Sequence, residues 1–407
     1  MTTTADRVDI ENVDFYGEDQ FAVYEWLQSA APVYYYEPLD TFIVSKYEDV
    51  RHISRTPSVF SNTGALTLNM IRLARSGAGK SLEQFFDASG EMVITIDPPR
   101  HHEMKRTLTP AFNPRAVRSL ESAIADMVAS LVDQIEPGVP IEFVQAVAAK
   151  LPVYVAARVL GLTDVDLDEV GRWVNALEAL TRVETFDELL AAAGQFATMN
   201  DYMVSELQRK RTSPGDDLMS IMLRTELNGQ PLNEAQMLSH LSTLISNGGT
   251  TRVLLASAVE LLARHPRERE LIVTDPDQVD HAIEEVLRVA PPARGFARLV
   301  LQDTEIRGQQ IRAGQHVYIL YSAANRDPDV FTDPHRFDIR RAQERMHLSF
   351  GYGTHSCLGA TLVRMEASLF LRELLRRYPH MEIVEEPVRQ EHVQINGWQR
   401  LVVSFDR

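Results

Sequence analysis

Cysteine is almost missing from this chain: Cys357 is the only one in 407 residues. That excludes an internal disulfide framework. Long apolar runs are missing too, with none near the ~18 residues that a membrane-spanning helix needs. The start, Met1 to Asp19, is polar and acidic and lacks the basic beginning and apolar centre of a secretory signal, so a cytoplasmic location without a membrane anchor is expected. Positive charge is short: 41 Lys and Arg stand against 57 Asp and Glu, a formal net charge of -16. Nucleic acid and anionic membranes are recognised by dense basic faces and are not expected as partners. No linker or internal repeat interrupts the sequence. Residues 1–407 read as one domain, with 1–20 as a flexible N-terminal segment, and 44% hydrophobic residues suit a large core.

What is present is mainly helical. Phe21 to Ser29 and Tyr47 to Arg55 carry helical apolar spacing, and between them Val33 to Glu37 and Thr41 to Ser45 read as a hairpin of aromatic and β-branched residues. From Pro114 to about Arg264 the apolar spacing is helical almost throughout. The fold class is mainly α with a small β region. A long central helix opens at Asn233, with Gln236 three residues on as a capping box, and runs toward His265-Pro266. Its middle, Ser246-Asn247-Gly248-Gly249-Thr250-Thr251, is a poor helix, since each glycine costs about 1 kcal/mol against alanine. Longer breaks in pattern fall at Ser61 to Glu91 and Arg326 to Ser356.

Cys357 lies in Phe350-Gly351-Tyr352-Gly353-Thr354-His355-Ser356-Cys357-Leu358-Gly359, directly before the apolar helix pattern Ala360 to Leu375. A glycine-rich coil entering a helix N-terminus offers a thiolate backbone donors and positive potential. Gly351 and Gly353 permit tight turns, and Gly359 leaves room for a flat ligand. A small buried hydrophobe is the plainer reading of a lone cysteine; this frame favours a ligand.

Phe350, Gly353, His355, Cys357 and Gly359 match F-x-x-G-x-[HR]-x-C-x-G, and the segment resembles the cysteine loop of the cytochrome P-450 haem-thiolate monooxygenases. Glu285-Val286-Leu287-Arg288 followed by Arg298, Asn325-Arg326-Asp327-Pro328 and Pro334-His335-Arg336-Phe337 is similar to that family's E-x-x-R helix and meander. The resemblance implies a triangular-prism fold with haem b between the central helix and the cysteine-loop helix. Cys357 becomes the iron ligand, within a cofactor site that includes Phe350, Gly351 and Gly359. Glu285, Arg288 and Arg336 become a structural triad. His101, Lys105, Arg298 and His355 become partners of the haem propionates, with Lys105 standing where an arginine is common and unable to form its bidentate fork. A soluble monomer is implied, fed by NAD(P)H through a reductase and a ferredoxin, with Arg100, Lys105, Arg106, Arg341, Arg345 and Arg364 as a docking patch. Ser61 to Glu91 would be a mobile loop over the substrate pocket. Pocket candidates are Leu66, Leu68, Met70, Ile71, Arg294, Phe296, Ile395 and Trp398.

The central helix departs from the family's A-G-x-[DE]-T-T. Thr250 keeps the alcohol that steadies bound dioxygen and water, but Gly249 stands at the acid, and Asn247, three residues before Thr250, either organises the missing polar contact or satisfies a kinked backbone. These three are the catalytic candidates, and a carboxylate restored at 249 is expected to improve proton delivery. A peroxide-dependent or electron-independent haem-thiolate enzyme, and a non-catalytic haem- or ligand-binding protein, are the rival readings. Two other motifs fail: Gly79-Lys80-Ser81 lacks the first glycine of a phosphate loop, and His102-Glu103 lacks the second histidine of a zinc helix.

Overall fold

The computed structural model describes residues 8–17, 20–76, 92–162, 164–179, 185–246, 248–341 and 346–407. Strands β1 (Val33–Tyr36), β2 (Thr41–Val44), β3 (Phe60–Ser61), β4 (Gly295–Val300) and β5 (His316–Leu320) form one sheet in the order β1-β2-β5-β4-β3, with only the β2–β5 pair parallel. Successive side chains of a strand point to opposite faces. Ile43, Tyr318 and Leu320 therefore pack with Val23, Tyr24 and Leu27 of α1 (Gln20–Ala30), while Phe42, Val44, Val317 and Ile319 pack with Val50 and Ile53 of α2 (Tyr47–Arg55). Both faces are buried, which explains why these strands read as continuous apolar runs rather than clean alternation.

The helices carry the larger core. Relevant to the site are α3 (Arg100–Phe112), α4 (Lys150–Leu160), α5 (Leu167–Ala179), α6 (Glu234–Ser246), α7 (Gly248–Arg264), α8 (Val279–Val289) and α9 (Ala360–Arg377). Asn233 and Gln236 close the expected capping box: the Gln236 backbone N–H donates to Asn233 Oδ1 at 2.9 Å and the Asn233 N–H to Gln236 Oε1 at 3.0 Å. Leu241 and Ile245 on α6, Leu255 and Val259 on α7, and Phe370 and Leu371 on α9 are fully buried. Each such side chain contributes about 1.5–3 kcal/mol of transfer free energy. The stretch Ser61 to Glu91 is not wholly irregular, since Thr67 caps a helix over Leu68–Arg75 by accepting from the Met70 N–H. Residues 77–91, including the rejected Gly79-Lys80-Ser81, lie outside the described residues.

Arg288 is the staple between α8 and the coil that leads to Cys357. Its guanidinium pairs with Glu285 at 2.8 Å and donates to the carbonyls of Asn325, Pro334 and Arg336. The third member differs from expectation. Arg336 contributes only its carbonyl, and its side chain is exposed and lies 3.7 Å from Asp338. Arg341 reaches Glu285 instead, at 3.2 Å, and donates to the carbonyls of Asp333 and Arg336. The five-residue step from 336 to 341 carries the coil back under α8, so the later arginine points inward. Asn325 then passes the anchoring on: it accepts from the Leu348 N–H at 2.7 Å and donates to Ser349, whose hydroxyl donates to the Leu287 carbonyl.

Candidate active site

The anchored coil delivers the cysteine loop. Gly351 and Gly353 take left-handed φ values of 68° and 71°, and a Cβ on Gly353 would lie 2.5 Å from the Ser54 carbonyl oxygen of α2, so no other residue fits there. The Cys357 N–H donates to the Phe350 carbonyl at 2.8 Å, closing the loop just before α9. Lys105 of α3 grips the same loop, its ammonium donating to the carbonyls of Thr354 and Ser356 at 3.0 Å each.

The Cys357 side chain opens onto a cavity of about 450 Å³, and protein packs densely around it on the other sides. Burial pushes its thiol pKa up, opposed by the Gly359 and Ala360 N–H groups and by Lys105 and Arg364. A metal ion at the sulfur overrides that burial, because a coordinating thiol is deprotonated outright. Phe350, Gly351, His355, Cys357 and Gly359 all line the cavity, as do His101, Lys105 and Arg298. A Cβ on Gly359 would have no neighbour nearer than 4.0 Å, so the space beside it belongs to the cavity.

The edge of this cavity is built for anions. His101 and His355 face each other with ring centroids 4.2 Å apart, and His101 Nδ1 and His355 Nε2 are buried without a hydrogen-bond partner. Burial, with nearby cations, holds their pKa values down to about 4 and about 2. Arg298 is buried and its pKa is lowered by burial, opposed by a hydrogen bond with Tyr321 and the pull of Asp97; it donates to the Ala297 carbonyl, and among the described residues no carboxylate forms an ion pair with it. Two imidazoles with orphaned nitrogens beside an ammonium and a guanidinium suit the two carboxylates of a haem.

Thr250 lines the cavity from α7, with Gly248 and Ser246 beside it. Asn247 lies outside the described residues. Gly249 faces the other way, and a Cβ there would sit 2.8 Å from Glu178 Oε2 of α5. An acid placed at 249 would meet this carboxylate, which must shift to admit it.

Leu66, Met70 and Phe296 line the cavity as expected, joined by Leu73, Ile94 and Leu244. The other pocket candidates are not in its lining. Leu68 and Ile71 pack into the core beneath the sheet, Trp398 lies under the Arg389 guanidinium, and Ile395 bridges Ala293 through its backbone. Arg294 is buried in a structural role, donating to the His392 and Ile395 carbonyls and to Asn396 Oδ1, with its guanidinium 4.3 Å from the Tyr16 ring centroid. Helix phase decides the pair on Leu68–Arg75: Met70 and Leu73 share the cavity face, while 68 and 71 turn inward. The proposed docking patch also thins out. Arg341 is inside, Arg364 is paired with Glu284 at 2.6 Å, Arg100 with Glu103 at 3.3 Å, and Arg345 is outside the described residues.

Sequence reasoning missed Glu366. It is fully buried in the cavity wall, its Oε1 has no partner, and burial raises its pKa to about 8. An acid at an inward position of an otherwise apolar helix face, Leu362, Phe370 and Leu374, was the available signal.

One thiol at the floor of an apolar cavity, beneath a helix turn bearing an alcohol and beside a cationic rim, defines a haem-thiolate oxygenase. The chain belongs to the cytochrome P450 family, whose model matches residues 184–395. It is 30% identical to the steroid C26-monooxygenase of Mycobacterium tuberculosis over 99% of this chain and 98% of that protein. It is 28% identical to the linalool 8-monooxygenase of Pseudomonas putida over 98% of both. Among solved structures, a cytochrome P450 from Chondromyces apiculatus superposes with a TM-score of 0.86 at 29% identity, over 98% of each chain. Membership implies a haem held by a cysteine thiolate, and the protein is a cytochrome P450 monooxygenase. Among the described residues no helix is long and apolar enough to cross a membrane.

Proposed function

We propose that this protein inserts one oxygen atom of dioxygen into an apolar small molecule, by hydroxylation or epoxidation, using haem b. Two electrons per turnover come from NAD(P)H through a ferredoxin reductase and a ferredoxin, and the chain works as one cytoplasmic monomeric domain. The observation that carries the reading is the cavity itself, which places Cys357, Thr250 and an apolar wall around one space. The haem, when bound, supplies dioxygen binding and O–O cleavage, which thiolate donation favours.

The remaining work falls to this chain's own side chains. Cys357 would hold the haem iron through its sulfur, and Lys105 steadies its loop. His101, His355, Lys105 and Arg298 would hold the two propionates. Thr250 offers a hydroxyl that both donates and accepts beside the reacting space. Leu66, Met70, Ile94, Leu244 and Phe296 exclude water and orient the substrate by shape, and few polar groups face it. Relatives named for a steroid and for linalool support a substrate of terpenoid or steroid character.

The test combines spectroscopy with reconstitution. The reduced carbon monoxide complex should show the thiolate-type band, and a steroid and terpenoid panel should contain compounds that shift the haem spin state. Product should form with ferredoxin, reductase and NADH. Product from peroxide alone, or with no electron source, would favour the rival enzyme readings, and ligand binding with no turnover would favour a binding protein.

A further inference from the structure

Glu178 is a buried acid, and its position relative to Thr250 is unusual. It projects from α5 so that its Oε2 lies 2.8 Å from where a Gly249 side chain would begin, one residue before the alcohol. Arg252, two residues after Thr250, donates to that oxygen at 2.7 Å, and Gln390 donates to Oε1. The side chains of Glu178 and Arg252 are only 7% and 12% exposed. Arg252 also reaches the exposed Asn175, one turn back along α5, with Nη1 to Oδ1 at 3.4 Å. A polar chain thus runs from the surface at Asn175 through Arg252 to a carboxylate seated against the Gly249–Thr250 backbone. The opening at position 249 is what admits it.

We propose that Glu178 supplies, from a neighbouring helix, the carboxylate of the oxygen-activating turn, and that Gly249 is glycine because this carboxylate occupies its side-chain space. The inference rests on the monooxygenase reading. Insertion of one oxygen atom releases the other as water, which consumes two protons together with two electrons from the nicotinamide through the ferredoxin. Glu178 takes protons from the solvent side near Asn175 and passes them by water toward the Thr250 hydroxyl, returning to its ionised form paired with Arg252. It is a positioning and proton-supplying residue that acts through Thr250. Glu366, another buried acid and one that lines the cavity, stands on the cysteine helix with its Oε1 unpartnered and, among the described residues, with no cation beside it.

Two measurements test this. The first compares wild type, Glu178→Gln and Glu178→Asp with ferredoxin, reductase, NADH and the best spin-shifting compound, recording NADH, product and hydrogen peroxide. Glu178→Gln keeps the shape but cannot release a proton, so the rate of product formation should fall by about a hundred-fold, the lower end for a lost acid–base group, and product per NADH should fall with it. Peroxide should rise, the solvent deuterium isotope effect should grow, and Glu178→Asp should recover part of the coupling. The second is a melting-temperature cycle that needs no turnover: Gly249→Ala should lower the midpoint in wild type and much less in a Glu178→Ala background, since the two side chains compete for one space. Wild-type coupling in Glu178→Gln, or an equal cost of Gly249→Ala in both backgrounds, overturns the proposal. If even wild type forms no product, the monooxygenase reading fails, while the melting cycle still decides whether Glu178 holds the 249 site.

Discussion

The rings of His101 and His355 meet with centroids 4.2 Å apart, each with a buried nitrogen that no group among the described residues satisfies. Two such histidines are poor hosts for each other's charge. The His101 pKa is held to about 4 by burial, then by Lys105 and His102. An ordinary histidine titrates near ~6.5. In haem-free protein the unfolded chain therefore binds a proton at His101 that the fold refuses, and stability should fall as pH drops from ~6.5 toward about 4, by on the order of 1–3 kcal/mol. Denaturant unfolding of haem-free protein at pH 7.5 and 5 should show this loss, and His101→Phe should reduce it. The haem-loaded protein should show less of it, because propionates favour the charged ring.

Cys357→Ser and Cys357→His should abolish the thiolate-type carbon monoxide band and oxygen insertion. No second cysteine exists to replace it. Retention of that band in either variant would remove Cys357 from the iron.

Arg341 and Arg336 should behave oppositely. Arg341→Ala leaves the buried Glu285 short of one cation and takes one donor each from the Asp333 and Arg336 carbonyls, a loss of roughly 2–4 kcal/mol by comparison with other broken buried pairs. Arg336→Ala removes an exposed side chain, and the change should stay within ~0.5 kcal/mol. Urea midpoints and haem retention read both.

Phe296→Ala should weaken or remove the spin-state shift of the best ligand, because Phe296 forms cavity wall. Trp398→Ala should leave it nearly intact. Arg294→Ala should act on folding rather than on ligand affinity, since its guanidinium is used on the His392, Ile395 and Asn396 acceptors. Titrations followed by absorbance, beside melting curves, separate the three.

The parts of the site that sequence made legible are those fixed by local rules. Spacing placed α2 correctly to the residue, the glycines of the cysteine loop announced their turns, and the haem-edge cations follow motifs that survive in linear order. What was illegible depends on how elements meet. The helix phase of Leu68–Arg75 separates Met70 from Ile71, and only the fold reveals which turns to the cavity. Arg341 displaces Arg336 because of the path of a coil that has no periodicity to read. Glu178 is 71 residues before Gly249 in the chain, and no spacing rule joins them.

Arg294 gathers the Tyr16 ring, the start of β4 and the 392–396 loop around one guanidinium sealed from water. The cavity wall at Ala293 and Phe296 hangs from that knot, the Leu66 carbonyl accepts from the neighbouring Ala297 N–H at 2.8 Å, and Met70 and Leu73 face the cavity from a helix whose Leu68 and Ile71 are sunk in the core. Both walls of the chamber are therefore tied to the same sheet. Changes in what the chamber holds should therefore come from exchanging the side chains that face it, Met70, Leu73 and Phe296 among them, and not from moving the backbone that carries them.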